Sequence, residues 1–224
     1  MGNTNNSPDD RRDDLEDELA DPAAALGLIR EQQAEVARRQ ISGVPWILGV
    51  WGVAWSVGFL ALWSGYAGGN PWFQLPLSLA GGIFGVLILT AIVTSAVIGA
   101  RLDRGIEGSS AFPGAVYGLS WMLGSIFVFA VGIALNRAGA DSMLLSLYYP
   151  AAYTLVAGLI YLMGAALWRS MDQLILGVII LIAAAIAPFF GAPTNNLVMA
   201  LLGGGSFLIA GLVMHLNLRR GRVA

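Results

Sequence analysis

Six long apolar stretches dominate the chain, and polar residues are gathered between them and at the two ends. Each stretch has 18 to 24 residues and holds no Asp, Glu or Arg. About 20 residues at a rise of 1.5 Å per residue cross a hydrocarbon core ~30 Å thick. The pattern predicts an all-α, polytopic membrane bundle at residues 44–216, with six transmembrane helices at 44–63, 75–98, 112–135, 147–167, 173–190 and 196–216.

The polar ends divide into three further segments. Residues 1–21 are rich in carboxylates, which is typical of a disordered tail. Asp21 followed by Pro22 is a helix start signal, so residues 22–41 are predicted to form a cytoplasmic or membrane-surface helix, and 217–224 a basic tail. Two interpretations of this helix stay open. It leads the chain into the bilayer along the surface, or it docks a cytoplasmic protein or a second copy of the chain.

Composition supports a membrane protein and removes several kinds of chemistry. Charged residues make up 12% of the chain, against about 25% in soluble domains. The chain has no cysteine and no lysine, which excludes thiolate metal sites, cysteine nucleophiles and Schiff-base chemistry. We therefore expect no catalytic residues, no metal site and no cofactor, and we predict that the protein is not an enzyme.

The net charge of −2 is the sum of two unlike parts, −6 on residues 1–21 and +4 on the remainder. Eleven of the twelve arginines precede the first span, follow the last, or lie in the second and fourth connections; Arg137 is the exception. Because basic residues concentrate on the cytoplasmic side, both termini are predicted to be cytoplasmic. The start of the chain does not resemble a signal peptide, so we expect the tail to be retained. The cytoplasmic arginines are expected to contact anionic lipid headgroups, with no nucleic-acid partner.

Pro150 lies near the start of the fourth span and leaves two interpretations open. In the first, residues 142–149 form a short stretch of helix at the membrane interface, and the helix kinks at Pro150 because proline removes one backbone donor. In the second, the fourth helix simply begins close to Pro150, where the missing donor has no consequence.

Aromatic and hydroxyl residues inside three spans are candidates for a ligand or lipid pocket. Trp51 and Trp55 lie one turn apart on the first span, and Trp121 lies inside the third. Thr90 and Thr94 lie one turn apart on the second span, where their hydroxyls either bind a solute or return to their own helix. Buried indole N–H groups require acceptors, and core packing is the competing interpretation of the tryptophans. The expected acceptors are hydroxyls on other turns and spans: Ser56, Ser120, Ser125 and Thr154.

Glycines at close spacing are candidates for helix packing. They are Gly81 and Gly85 on the second span, Gly114 and Gly118 on the third, and Gly203 and Gly204 on the sixth. Small residues four apart let two membrane helices approach closely. Packing within the bundle is the expected role, and homodimerisation or a pathway between parting helices is the alternative.

Part of the chain is similar to a known family. The similar residues are Asp21-Pro22, Leu28 to Gln32, Gly49 to Trp55, Gly58-Phe59 and Leu62-Trp63. On these residues the chain resembles a group of small actinobacterial polytopic membrane proteins, labelled hypothetical or sometimes transporter. The resemblance covers residues 21–63 and implies a bacterial inner membrane, but it implies no activity.

Two functional hypotheses follow from the sequence. The first is a non-enzymatic inner-membrane accessory, scaffold or regulatory component, because the polar sequence that a partner would recognise is concentrated on one side of the membrane. The second is a small permease for an uncharged or amphipathic solute or for lipid. Ion coupling is not expected of it, because a proton-coupled carrier is expected to hold an intramembrane Asp or Glu and none of the six spans has one.

Overall fold

The computed structural model describes residues 25–32, 42–102 and 111–220, and all regular structure in these ranges is helical. Six of the helices are long and apolar enough to cross a membrane. They are α1 (Val44–Gly65), α2 (Leu77–Leu102), α3 (Ala111–Arg137), α4 (Ser142–Trp168), α5 (Met171–Ile186, continued by a 3₁₀ turn at Ala187–Phe190) and α6 (Thr194–Arg219).

The helix α6 is built from three parts. It begins with α-helical residues Thr194–Val198, passes through a π-helical segment at Met199–Gly204, and continues as α-helix over Gly205–Arg219. The six-span, all-helical prediction is thus confirmed as far as length and composition decide it. Residues 25–32 are helical within the predicted 22–41 helix, whereas the acidic tail, the rest of that helix and residues 221–224 lie outside the described residues.

Several helices extend beyond the apolar stretches that predicted them. Hydropathy marks only the part of a helix that suits lipid, whereas caps set where the helix ends. The Asp141 carboxylate accepts a hydrogen bond from the backbone N–H of Leu144 at 2.7 Å, so α4 starts at Ser142 rather than at 147. At its other end, Arg169 adopts a left-handed conformation (φ 50°) that terminates α4. Pro150 therefore lies inside α4, as the first of its two interpretations requires.

The helices pack side by side in the order α2, α1, α6, α5, α4 and α3. The interfaces join α1 to α2 and to α6, and α5 to α6 and to α4, and α3 packs on α4. Within the described residues, α2 packs mainly on α1 and α3 mainly on α4, and no comparable interface joins α2 to α3. The helices α2 and α3 are therefore the two outer helices of the bundle, each with one main neighbour.

The two ends of the bundle differ in charge. The basic end is where α1 and α3 begin and where α2, α4 and α6 end; it carries Arg101, Arg169, Arg219 and Arg220. The far end holds the connections 66–76, 138–141 and 191–193, together with Arg137. Trp46 at the start of α1 meets His215 near the end of α6, with ring centroids 6.0 Å apart.

The buried core belongs mainly to four helices. Its side chains come from α1, α4, α5 and α6, and they are Leu48, Trp55, Phe59, Ala157, Leu176, Ile180, Ala187, Met199, Ala200 and Phe207. Most residues of α2 and α3 are exposed, and their side chains are largely Leu, Ile, Val and Phe. In a bilayer such surfaces face lipid or another membrane helix, because lipid tails are as apolar as these side chains.

Candidate functional site

The two tryptophans of α1 occupy different environments. Trp55 is 6% exposed and packs edge-on against Phe59 (ring centroids 5.7 Å apart) and Phe207 (5.3 Å). Gly203 makes room for this indole, because a Cβ at Gly203 would lie 2.8 Å from the Trp55 ring. Trp51 is half-buried, and its indole N–H donates to the Ser95 hydroxyl at 2.9 Å. The acceptor therefore comes from α2 and was not among the four hydroxyls expected from the sequence.

The other candidate pocket residues lie on the two outer helices. Thr90 is exposed, and its hydroxyl donates to the Val86 carbonyl of its own helix at 2.8 Å. Thr94 is half-buried on α2. Trp121 on α3 is half-buried and reaches the core through Tyr161 at 5.9 Å between ring centroids. The structure thus connects Trp121 to the surroundings of Trp55, while Thr90 is bonded to its own helix. The ligand pocket itself stays a prediction.

A continuous series of aromatic rings, here called the aromatic chain, crosses the bundle. Its members, in spatial order, are Trp168, Tyr117, Trp121, Tyr161, Phe207, Trp55, Phe59 and Phe84, which come from α4, α3, α6, α1 and α2. Successive centroids lie between 4.8 and 6.3 Å apart, and the rings meet edge-on or tilted. Such pairs contribute about 0.5–1.5 kcal/mol each beyond their area burial. The interior of the bundle along this line is therefore filled by rings.

The candidate glycines separate into two groups. A Cβ built on Gly203 or Gly204 would collide with Trp55 or with Ser56, so both glycines are places where α6 meets α1. A Cβ built on Gly81, Gly85, Gly114 or Gly118 would meet no atom of the described part of the chain within 4 Å. The glycine pairs of α2 and α3 therefore form open surfaces of the single chain, whereas those of α6 lie at a helix crossing.

The π-helical segment lies at this crossing. Ala200 within it accepts a hydrogen bond from the Ser56 hydroxyl of α1 at 3.4 Å, and the Ser206 hydroxyl donates to the Gly203 carbonyl at 2.7 Å. The Thr154 hydroxyl of α4 contacts the Met199 sulfur at 3.6 Å, and both residues are buried. Wide turns of this kind occur mostly as single segments inside α-helices, frequently at functional sites.

A buried asparagine, which the sequence analysis did not single out, joins α6 to α4. Pro150 has no N–H, so it cannot donate to the Ser146 carbonyl four residues earlier. The Asn195 side-chain amide donates to that carbonyl instead, at 2.9 Å. Asn195 is 1% exposed, and its Oδ1 atom has no hydrogen-bond partner in the structure. The sequence signal that points to this contact is a proline inside one apolar span together with an asparagine at the edge of another, because the carbonyl that the proline leaves without a donor needs a partner.

A second buried acceptor without a partner lies toward the basic end. The Oε1 atom of Gln173, in the first turn of α5, has no hydrogen-bond partner among the described residues. It lies against Gly164 of α4, where a Cβ would also meet the rings of Trp168 and Tyr117. Buried polar groups usually have partners, so each such atom is a place where water or a solute group can add a hydrogen bond.

Comparison with known protein families, with curated proteins and with solved structures finds no match to this chain.

Proposed function

We propose that the chain is a multi-pass protein of a bacterial inner membrane, with both termini in the cytoplasm, and that it acts as a non-enzymatic accessory or scaffold component. The observation that carries the proposal is the exposure of the two outer helices, α2 and α3, because each of them carries an open glycine surface. The resemblance of residues 21–63 to small actinobacterial membrane proteins supports the proposed location.

The packing of the interior supports a scaffold more than a conduit. Trp55, Phe207, Ile180 and Met199 are almost fully buried between α1, α5 and α6. A close-packed interior has few voids as large as a water molecule, so it does not favour the passage of a solute. A rigid bundle of this kind is suited to presenting its outer helices to a partner.

The surfaces of α2 and α3 support a membrane-embedded partner. Gly81 and Gly85 on α2, and Gly114 and Gly118 on α3, leave space into which another helix can pack. In lipid the hydrophobic effect does not drive helices together. Close backbone approach at small residues is therefore a main source of helix association there. The occupant we propose is a transmembrane helix of the partner protein.

The amino-terminal segment supports a second point of contact on the cytoplasmic side. Within the helical residues 25–32, Leu26, Leu28 and Ile29 are each about half exposed (52%, 53% and 49%). Exposed apolar residues on a short helix fit either a membrane surface or a protein groove. The proposal assigns them to a cytoplasmic region of the partner or to a second copy of this chain, while the arginines of the basic end face anionic headgroups.

The test uses full-length tagged protein recovered from its native membrane, with the co-purifying proteins quantified by mass spectrometry. Gly85→Leu and Gly118→Leu fill open space, so the fold is expected to persist while recovery of the specific partner falls by about tenfold, as a loss of ~1.4 kcal/mol produces. Gly205→Leu is the matched control, since Gly205 also has open surroundings but lies on α6, away from the proposed surfaces of α2 and α3. Deletion of residues 1–40 tests the cytoplasmic contact. Partner recovery that is unchanged in all of these variants contradicts the proposal.

A permease for an uncharged or amphipathic solute or for lipid is the second candidate. The observation that favours it is the π-helical segment beside Trp55, together with the unpaired acceptors of Asn195 and Gln173. Such groups can bind a hydrogen-bond donor on a solute without any charged residue. Flux of uncharged solutes and of labelled phospholipid through reconstituted vesicles tests it, with Trp51→Ala and Trp55→Ala as variants; flux that is equal with and without protein contradicts this candidate.

A further inference from the structure

An apolar groove runs along the outside of the bundle between α4 and α5. Its volume is about 500 Å³, within the range of ligand pockets. Six of the residues that form its walls come from α4 and four from α5: Leu144, Leu147, Tyr148, Ala151, Ala152, Leu155, Leu181, Ala184, Ala185 and Pro188. The α4 residues recur at three- and four-residue spacing, so they form one face of that helix.

The groove lies between the crossing of α4 and α5 and the far end of the bundle. At the crossing the backbones of the two helices approach each other, since a Cβ on Gly158 would lie 3.2 Å from the Gly177 carbonyl oxygen. Leu181 packs against Gly158 at the same level. All the lining residues lie between this crossing and the far-end termini of the two helices. The groove therefore ends at the crossing, within the apolar spans, and extends from there toward the far end.

The length of the groove matches one leaflet. Leu144 and Leu155 are eleven residues apart, which corresponds to ~16 Å along a helix at 1.5 Å per residue. Half of a hydrocarbon core ~30 Å thick is ~15 Å. A transmembrane helix from a partner must cross the whole core and needs a surface of that full length, so a groove that ends at the crossing does not suit it.

The chemistry of the lining matches a hydrocarbon chain. The small side chains Ala151, Ala152, Ala184 and Ala185 create the depression between larger neighbours. The single polar side chain is that of Tyr148, whose hydroxyl already donates to the Val128 carbonyl of α3 at 3.0 Å. The groove therefore offers a ligand apolar contact and shape, with its one hydroxyl committed elsewhere.

We propose that this groove is a specific lipid site that holds one acyl chain of a phospholipid from the leaflet at the far end. The headgroup then lies at the level of two exposed residues, Arg137 at the end of α3 and Asp141 just before α4. The site binds its lipid more tightly than the surrounding helix surfaces do, because the chain is enclosed on two sides. This inference rests on the six spans lying in a bilayer and is independent of the proposed partner.

The experiment uses the full chain in vesicles of phosphatidylethanolamine and phosphatidylglycerol, the latter partly replaced by a derivative with a photoreactive diazirine at the middle of one acyl chain. After irradiation, labelled peptides are quantified by mass spectrometry. Labelling of the groove residues is expected to exceed that of exposed α2 residues such as Val86 and Leu89 by about tenfold, a preference of ~1.4 kcal/mol. Ala185→Phe is expected to remove most of this excess by filling the groove.

Two further variants make the result decisive. Ala152→Phe fills the groove from α4, whereas Ala185→Phe fills it from α5. If one of the two variants fails to fold, the other still tests the site. Ala166→Phe is the control, because Ala166 is exposed on α4 near the basic end and does not line the groove. Even labelling of all exposed helices, or groove labelling that survives both filling variants, overturns the proposal. Partner recovery from native membranes is expected to be unchanged by Ala185→Phe, which separates this site from the proposed function.

Discussion

Trp51 and Trp55 are one helical turn apart, yet the structure assigns them unequal energetic roles. Trp55 is enclosed by Phe59, Phe207 and the surface of Gly203, whereas Trp51 contributes one hydrogen bond to Ser95 from a half-buried position. Burial on all sides makes truncation costly, because neighbours in a packed core close a cavity only in part. The free-energy cost of truncating a tryptophan therefore depends more on its exposure and on the rings around it than on its depth along the span.

Trp55→Ala is expected to lower the free energy of unfolding by about 3–5 kcal/mol, which is the usual range for removing a buried aromatic side chain. Trp51→Phe keeps most of the ring contact and loses the bond to Ser95, so a loss of about 0.6 kcal/mol is expected, the average for hydrogen bonds between membrane helices. Reversible unfolding of both variants in mixed micelles measures the two values. Equal losses in the two variants contradict the assignment.

Adjacent glycines of α6 provide a matched pair at the same scale. Gly204→Ala places a Cβ against the backbone and hydroxyl of Ser56, so α6 must move away from α1, and a loss of about 1–3 kcal/mol is expected. Gly205→Ala meets open space and is expected to stabilise by about 0.5–1 kcal/mol through helix propensity. Thermal unfolding in detergent ranks the two variants, and the opposite order is incompatible with the observed crossing.

At the scale of elements, the interruption in α4 is compensated by α6. Proline leaves the Ser146 carbonyl without its helical donor, and a carbonyl in hydrocarbon needs a partner because no water reaches it. Asn195 supplies that partner from the first turn of α6. The contact joins α4 to α6, which lie on either side of α5. The proline therefore removes one hydrogen bond within α4 and creates the site at which α6 is attached to it.

Asn195→Ala is expected to cost about 1–3 kcal/mol, because it leaves the Ser146 carbonyl buried without a donor. In a Pro150→Ala background the helix can supply its own N–H, so the cost of Asn195→Ala is expected to fall by at least about 0.5 kcal/mol. A double-mutant cycle on the free energy of unfolding measures this coupling. Strictly additive effects would show that the amide and the proline act independently.

At the scale of the whole molecule, the placement of arginine predicts the orientation. The chain contains no native cysteine, so single cysteines can be labelled selectively. Gln74→Cys, at the far end, is expected to react with a membrane-impermeant maleimide in intact cells, whereas Met171→Cys, at the basic end, is expected to react only after permeabilisation. Both residues are exposed, so accessibility to the reagent depends on the side of the membrane. The reverse pattern contradicts cytoplasmic termini.

Much of the fold follows from hydropathy, and little of the candidate site does. The six spans were predicted within a few residues of their ends, and the largest difference, the start of α4 at Ser142, comes from the Asp141 cap rather than from apolarity. The close spacing of the glycines on α2, α3 and α6 did not reveal their different surroundings, and of these candidates only Gly203 and Gly204 proved to lie at a crossing of two helices. Asn195 was passed over because it lies just before the predicted sixth span, and nothing near it in the sequence reveals the proline-freed carbonyl of another helix.

The sequence by itself determined that the protein consists of six apolar helices, because in a bilayer each backbone polar group must bond within its own segment, and helices of about 20 residues achieve this. Only the tertiary structure decided which faces are internal, where the aromatic chain runs, and which helices lie on the outside of the bundle. The reason is that these spans are apolar on every side, so no periodicity separates the face that packs from the face that meets lipid. That distinction depends on which helix lies opposite, which is a property of the assembled bundle.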